Sequence, residues 1–196
     1  MSEEDLYYSN HSKHSKQILF FGDSLTAGYG VAKNQAFPAL VQQKINSQQL
    51  PYLVVNAGQS GETSAGGKNR VVTLPDQQVD VFVLELGIND VLRGITVQET
   101  MNNLQFIIDF VKIKHPEVIM LLLGMELPSF LTGHILKDFR MIFRQLADKN
   151  NMGFVPFLLN GVAGNRLLNL PDGIHPNAKG YEIIAGNVWQ VLKTIL

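Results

Sequence analysis

The chain has no cysteine among its 196 residues, which excludes disulfide bonds, thiol nucleophiles and cysteine-ligated metal sites. It also lacks any apolar run near the ~20 residues that a helix needs to cross a bilayer, so we expect no stable membrane insertion. The chain also has no marked excess of charge of either sign, since 16 Lys and Arg balance 17 Asp and Glu for a formal net charge of −1. This balance gives no electrostatic reason to expect binding to nucleic acid or to an anionic membrane.

The composition is 45% apolar, which is enough for the core of one domain. We expect residues 1–16 to be a polar tail and residues 17–196 to be that domain. The tail has no apolar segment of the kind found in a secretory signal. The localisation stays open: cytoplasmic if Met1 is the natural start, periplasmic or secreted if a signal peptide preceded it. The oligomeric state is open as well.

Short apolar, β-branched runs alternate with longer segments of helical period, a pattern that predicts βαβ units and a parallel sheet. The predicted strands are residues 17–21, 52–55, 81–86, 118–123 and 153–156. The predicted helices are residues 37–47, 64–74, 97–114, 132–150 and 177–196. The fold class is therefore α/β, a three-layer α/β/α sandwich around a five-stranded parallel sheet.

Small and polar residues follow the first three predicted strands, in the segments 22–25, 56–63 and 87–90. Ligands of such sheets bind at the carboxyl ends of the strands. Ser24 follows a strand and a glycine, but a serine hydroxyl needs an adjacent base to act as a nucleophile. His175 in DGIHP is the best candidate base, and Asp172 lies three residues earlier, close enough to orient it.

An acyl-transfer site also needs donors for the oxyanion of its intermediate. The turn around Gly61 can offer a backbone N–H, and Asn89 can offer its side-chain amide. Each has a plainer interpretation, because Gly61 suits a tight turn and Asn89 suits a helix cap. Gly58 competes with Gly61. We expect Asp23, Glu85 and Asp90 to be structural, with no catalytic role.

Four blocks of sequence, FFGDSLTAGYG, NAGQSGET, ELGIND and DGIHP, together resemble the GDSL family, also called SGNH hydrolases. The resemblance covers residues 17–196 and is greatest to the bacterial branch of multifunctional thioesterases, arylesterases and lysophospholipases. It implies a flavodoxin-like sandwich with a triad of Ser24, Asp172 and His175. It also implies an oxyanion hole made by the N–H groups of Ser24 and Gly61 and the amide of Asn89. No metal or organic cofactor is implied.

Apolar loops near the predicted site suggest a groove for an acyl chain, although they also suit a cap over the core. The candidate residues are Leu92, Ile95, Leu127, Phe130, Phe157 and Leu170. Residues 91–95 could also form a mobile lid that bends at Gly94.

The sequence thus predicts an esterase or thioesterase that acts on a small acyl ester through an acyl-enzyme. Two alternatives remain: a carbohydrate O-acetylesterase on the same fold, and a flavodoxin-like binding module without catalysis.

Overall fold

The computed structural model describes residues 16–126 and 134–196, with side chains in the second range described from residue 138. Its centre is a five-stranded, fully parallel sheet, which confirms the predicted fold class. The strands are β1 (Lys16–Gly22), β2 (Tyr52–Gly58), β3 (Val81–Glu85), β4 (Ile119–Leu123) and β5 (Gly153–Val155). Their order in the sheet is β2-β1-β3-β4-β5. In this order the connections leaving β1 and β3 run in opposite directions, which opens a crevice at their carboxyl ends.

Seven α-helices and one short 3₁₀-helix (Lys33–Gln35) are present in the described residues. The α-helices are α1 (Ser24–Ala27), α2 (Phe37–Ser47), α3 (Ser64–Val71), α4 (Ile88–Leu92), α5 (Val97–Lys114), α6 (His134–Asn150) and α7 (Ala178–Leu192). Helices α2 and α7 pack together on one face of the sheet, while α5 contacts both α3 and α6 on the other. This arrangement gives the three layers.

The core lies on both faces of the central strands. Every residue of β3 is buried, as are the last five residues of β1 and the last four of β4. Strands covered on two faces need continuous apolar runs, and that is the pattern the sequence shows. No helix of the described residues is both long and apolar enough to cross a membrane.

The predicted boundaries were wrong at several ends. Strand β2 continues to Gly58 because it pairs with β1 along its full length, as far as Gly22. Helix α3 ends at Val71 and α7 ends at Leu192, both earlier than predicted. The short helices α1 and α4 were not among the predicted elements, and each is about one helical turn shortly after a strand. The predicted start of the helix at residue 132 lies outside the described residues.

Candidate active site

Ser24 is the first residue of α1, at the carboxyl end of β1. Asp23 caps this helix, since its Oδ1 accepts the Leu25 N–H at 3.0 Å. Gly22 allows the close approach, because a Cβ there would lie 2.1 Å from Thr26 Oγ1 and 2.6 Å from Glu85. The sequence therefore turns sharply after β1 and places the Ser24 side chain at the edge of the sheet.

The three residues predicted as a triad lie in one hydrogen-bonded row. Ser24 Oγ is 3.0 Å from His175 Nε2, across 151 positions of the chain. His175 Nδ1 is 2.7 Å from Asp172 Oδ2. This geometry allows His175 to accept the hydroxyl proton of Ser24 while Asp172 holds the imidazole in the required tautomer.

Asp172 orients His175 through a compact turn. Its Oδ1 accepts the backbone N–H groups of His175 at 3.0 Å and Ile174 at 2.9 Å. These bonds, led by the one from the His175 N–H, lower the pKa of Asp172 from 3.8 to about 2. The carboxylate is therefore ionised at neutral pH and can stabilise a positive charge on the imidazole, although it lies at the surface.

The ring of Tyr29 packs against the ring of His175, with centroids 4.5 Å apart and planes inclined by 42°. Tyr29 is half exposed. Sequence reasoning did not single it out, and its signal was only that it stands in the same block as Ser24. The contact covers one face of the imidazole and restricts its rotation.

Gly61 lies in the turn between β2 and α3 with a φ of +78°, a conformation that favours glycine. Among the described residues, neither the Gly61 N–H nor the Ser24 N–H donates a hydrogen bond. Both donors are thus available to a ligand. Gly58, the competing candidate, packs instead against α1, since a Cβ there would lie 2.2 Å from the Ala27 nitrogen.

An ion pair between Arg70 and Glu62, which the sequence did not predict, stabilises the turn that contains Gly61. Arg70 donates to both carboxylate oxygens of Glu62, at 2.7 and 2.5 Å. The same guanidinium donates to the Ala57 carbonyl at 2.9 Å and lies 3.8 Å from the Phe21 ring centroid. The signal in the sequence was Arg70 itself, the one arginine in the helix after the turn. The pair fixes the backbone that carries Gly61.

Asn89 connects the ends of three strands. Its Nδ2 donates to Asp23 Oδ2 at 2.9 Å and to the Glu62 carbonyl at 3.0 Å. Asp23 directly precedes Ser24 and Glu62 directly follows Gly61, so one amide group fixes both neighbouring segments. Both amide hydrogens therefore have protein acceptors in the free protein.

The next residue, Asp90, is fully buried and accepts hydrogen bonds from the backbone and hydroxyl of Ser64 and from the hydroxyl of Thr100. These bonds join the turn after β3 to α3 and α5. Its contacts are those of a structural residue.

The candidate acyl-groove residues do not lie together. Leu92 is 57% exposed, and Ile95 is half-buried. Leu170 lies beside Gly30, close in sequence to Tyr29. Phe157 lines a separate groove of about 370 Å³ at the β5 edge, whose lining does not include Ser24 or His175. Leu127 and Phe130 lie outside the described residues.

The segment predicted as a lid is connected to the turn that contains Gly61. Arg93 Nη2 donates to the Gly61 carbonyl at 2.8 Å. Gly94 has a φ of +73°, and no atom lies within 4 Å of the position that a Cβ would occupy there. Whether the segment moves stays a prediction. In the described parts of the chain, no group of three or more His, Asp or Glu side chains is placed to hold a metal ion.

The protein is a three-layer α/β/α sandwich with a Ser–His–Asp row at the carboxyl ends of its parallel strands. These features define the class of α/β proteins suited to acyl transfer. Comparison with known proteins gives the family. The model of the GDSL-like Lipase/Acylhydrolase family matches residues 20–183. The chain therefore belongs to this family, and it is a carboxylic ester hydrolase.

Individual relatives agree with this assignment. The chain is 34% identical to Esterase TesA of Pseudomonas aeruginosa, over 93% of this chain and 90% of that protein. It is 37% identical to Thioesterase 1/protease 1/lysophospholipase L1 of Escherichia coli K12, over 86% and 79% of the two chains. The crystal structure of the esterase EstA from Pseudoalteromonas sp., inhibited by monoethylphosphonate, superposes with a TM-score of 0.84 at 29% identity. That match covers 92% of this chain and 98% of the other.

Proposed function

We propose that the protein hydrolyses small acyl esters or thioesters through an acyl-enzyme on Ser24. The observation that carries this proposal is the hydrogen-bonded row from Ser24 Oγ to His175 at 3.0 Å and on to Asp172 at 2.7 Å. A serine, a base and an oriented carboxylate at these distances are sufficient to activate the hydroxyl.

In the proposed reaction, His175 Nε2 takes the proton from Ser24 Oγ as the oxygen attacks the acyl carbonyl. The imidazolium then gives this proton to the leaving alcohol or thiol, which leaves the acyl group esterified to Ser24. Water, activated by the same imidazole, attacks the ester and releases the acid and the free serine. Asp172 stays ionised throughout and stabilises the imidazolium.

The oxyanion of each tetrahedral intermediate is proposed to bind the N–H groups of Ser24 and Gly61 and the Nδ2 of Asn89. The two backbone N–H groups are open in the free protein. The Asn89 amide already serves Asp23 and Glu62, so the oxyanion would share one of its hydrogens. Such a donor is positioned before the reaction starts, which is the condition for effective transition-state stabilisation.

The proposed substrate has an apolar acyl part. Three exposed apolar or aromatic side chains lie within five positions of the proposed site residues in the sequence, namely Tyr29, Leu92 and Ile174, exposed by 50 to 57%. The names of the relatives include ester, thioester and lysophospholipid hydrolysis, which suits such a substrate. An acetylated sugar would gain little from this surface, and a binding module would not need the aligned row.

The test of the mechanism is covalent labelling. A fluorophosphonate should label Ser24 and abolish turnover, and peptide mapping by mass spectrometry would locate the label. The EstA relative inhibited by monoethylphosphonate suggests a suitable small probe. Label on another serine, or full activity in Ser24→Ala, would contradict the proposal.

The test of the substrate is a panel of nitrophenyl esters of graded chain length, with acyl-CoAs, a lysophospholipid and acetylated sugars alongside. A few buried methylenes, at up to ~0.8 kcal/mol each, should raise kcat/KM for medium chains about tenfold or more over acetyl. Preference for acetylated sugars without any gain from longer chains would favour the carbohydrate alternative.

A further inference from the structure

Two carboxyl groups that the proposed reaction does not use lie buried beneath Ser24. Asp23 has no exposed surface, and Glu85 is 1% exposed. They are brought together by the sheet, because Glu85 pairs in register with Gly22, the residue before Asp23. In the described residues neither carboxyl forms an ion pair. Two buried carboxylates without a cation cannot both stay ionised at a reasonable cost in free energy.

The hydrogen bonds around Glu85 are asymmetric. Its Oε2 accepts the Asp23 N–H at 3.1 Å and the Thr26 hydroxyl at 2.8 Å. Its Oε1 is buried and has no donor among the described residues. A buried carboxylate oxygen without a donor is costly, whereas a protonated Oε1 is itself a donor and needs only an acceptor.

The Asp23 carboxylate is the acceptor that this proton would use, because the Asp23 N–H already binds the same carboxyl group at 3.1 Å. Each of its oxygens already accepts an N–H, Oδ1 from Leu25 at 3.0 Å and Oδ2 from Asn89 at 2.9 Å. Each oxygen of Asp23 therefore has a donor, whereas Oε1 of Glu85 has none, and this difference favours the ionised form of Asp23 over that of Glu85.

The other ionisable groups that face the pair do not change this assignment. His175 lowers the pKa of Asp23 and Glu62 raises it, while the charge of Glu62 is taken up by Arg70. Burial raises the pKa of the Tyr181 hydroxyl, and the two carboxyl groups raise it further. Burial raises the pKa of Asp23 from 3.8 to about 6 and that of Glu85 well above 4.5.

We infer that Glu85 is protonated at neutral pH and donates to an ionised Asp23, and that this one charge holds the Asn89 amide in place beside Ser24. Asp23 is then a positioning residue for the proposed oxyanion site, so this part of the inference rests on the proposed function. The protonation of Glu85 does not depend on it.

The pair has a consequence for catalysis. The negative charge of Asp23 fixes the Asn89 amide through a charge-assisted hydrogen bond, which is stronger than a neutral one. A second charge on Glu85 would lie beneath the point where the oxyanion develops and would oppose it. A protonated Glu85 avoids this repulsion, while the ionised Asp23 still holds the Asn89 amide.

The test combines infrared spectroscopy with two isosteric variants. At neutral pH the wild-type protein should show the C=O band of a protonated carboxyl group, and Glu85→Gln should lack it. The glutamine amide can donate to Asp23 as the protonated acid does, so this conservative variant should keep kcat within about threefold. Asp23→Asn keeps an acceptor for the Leu25 N–H but places a donor against Asn89. It should lower kcat about tenfold to hundredfold, with KM and the unfolding temperature little changed.

Several results would overturn the inference. These are an infrared band that persists in Glu85→Gln, a Glu85→Gln variant that does not fold or turn over, or an Asp23→Asn variant with normal kcat. If Asp23→Asn does not fold, Asp23→Ser replaces it, since serine also caps a helix but cannot hold Asn89 by charge. Failure of the proposed function is distinguishable, because it would appear as activity in Ser24→Ala while the infrared result stood.

Discussion

Asn89 holds two neighbouring segments together in the free protein and is also proposed to bind the oxyanion. The sequence offered two interpretations, an oxyanion donor or a brace for the turn after β3. The structure gives its amide two acceptors on two other segments, Asp23 and the Glu62 carbonyl. Bracing is thus a property of the free protein, and the oxyanion contact is the added role that kinetics can test.

For Asn89→Ala we expect kcat and kcat/KM to fall together by about 10²–10³-fold with little change in KM, as for loss of one oxyanion donor. Steady-state kinetics would measure this, with circular dichroism and thermal unfolding as controls for the fold. Fluorophosphonate should still label Ser24, more slowly. A normal kcat, or a raised KM with kcat unchanged, would remove Asn89 from the proposed oxyanion site.

Tyr29 is a second residue whose role follows from contact alone. Its ring lies against His175 and can stabilise the imidazolium that forms in the proposed reaction, a contact worth about 0.5–1 kcal/mol at exposed sites. Tyr29→Ala should therefore lower kcat/KM about twofold to fivefold, and Tyr29→Phe, which keeps the ring, should not. Equal losses in the two variants would assign the effect to the hydroxyl instead.

At the scale of elements, the turn between β2 and α3 depends on a partly buried ion pair. The side chains of Arg70 and Glu62 are 20% and 2% exposed. Removal of one partner from such a pair leaves an uncompensated charge, which typically costs about 3–5 kcal/mol.

Arg70→Met should accordingly lower the free energy of unfolding by about that amount, and urea denaturation would measure it. The surface pair of Arg144 and Asp148, 54% and 66% exposed, is a matched control. Arg144→Met should cost no more than ~0.5 kcal/mol. Similar losses in the two variants would show that the turn does not depend on the buried pair.

At the scale of the whole molecule, the buried carboxyl pair predicts how stability changes with pH. Glu85 has its folded pKa well above 4.5, its usual value, so above that pH the unfolded chain loses a proton that the native protein keeps. At this group the native state binds more protons, so the contribution of Glu85 to stability falls as pH rises above 4.5 and continues to fall until the folded pKa is reached.

Glu85→Gln has no such proton to lose. We expect the free energy of unfolding of Glu85→Gln minus that of the wild type to increase by up to ~1.4 kcal/mol per pH unit. Urea denaturation from about pH 5 to about pH 8 would measure this difference. The test is the slope against pH of the difference in unfolding free energy between the two proteins. A difference that is constant with pH would reflect only a change in packing. Parallel curves for the two proteins would mean that Glu85 is ionised in the native state.

The sequence by itself determined the sheet, most of the helices and the residues of the Ser–His–Asp row. Apolar runs such as residues 81–86 are readable because strands buried on both faces need continuous hydrophobicity. Ser24 and His175 were readable because each lies in a short polar block at a predicted strand end or turn. Their joint presence with Gly61 and Asn89 also resembles a family.

Only the tertiary structure decided which side chains meet across distant parts of the chain. Sheet register and helix packing bring together the ion pair of Arg70 with Glu62 and the ring contact of Tyr29 with His175. They also place Asp23 within hydrogen-bond distance of Glu85 and Asn89. The local sequence pattern does not predict these contacts. A carboxylate inside an apolar run gives the same pattern whether it is paired, protonated or exposed at the edge of a sheet. Burial and hydrogen-bond geometry set those states, and both exist only once the chain has folded.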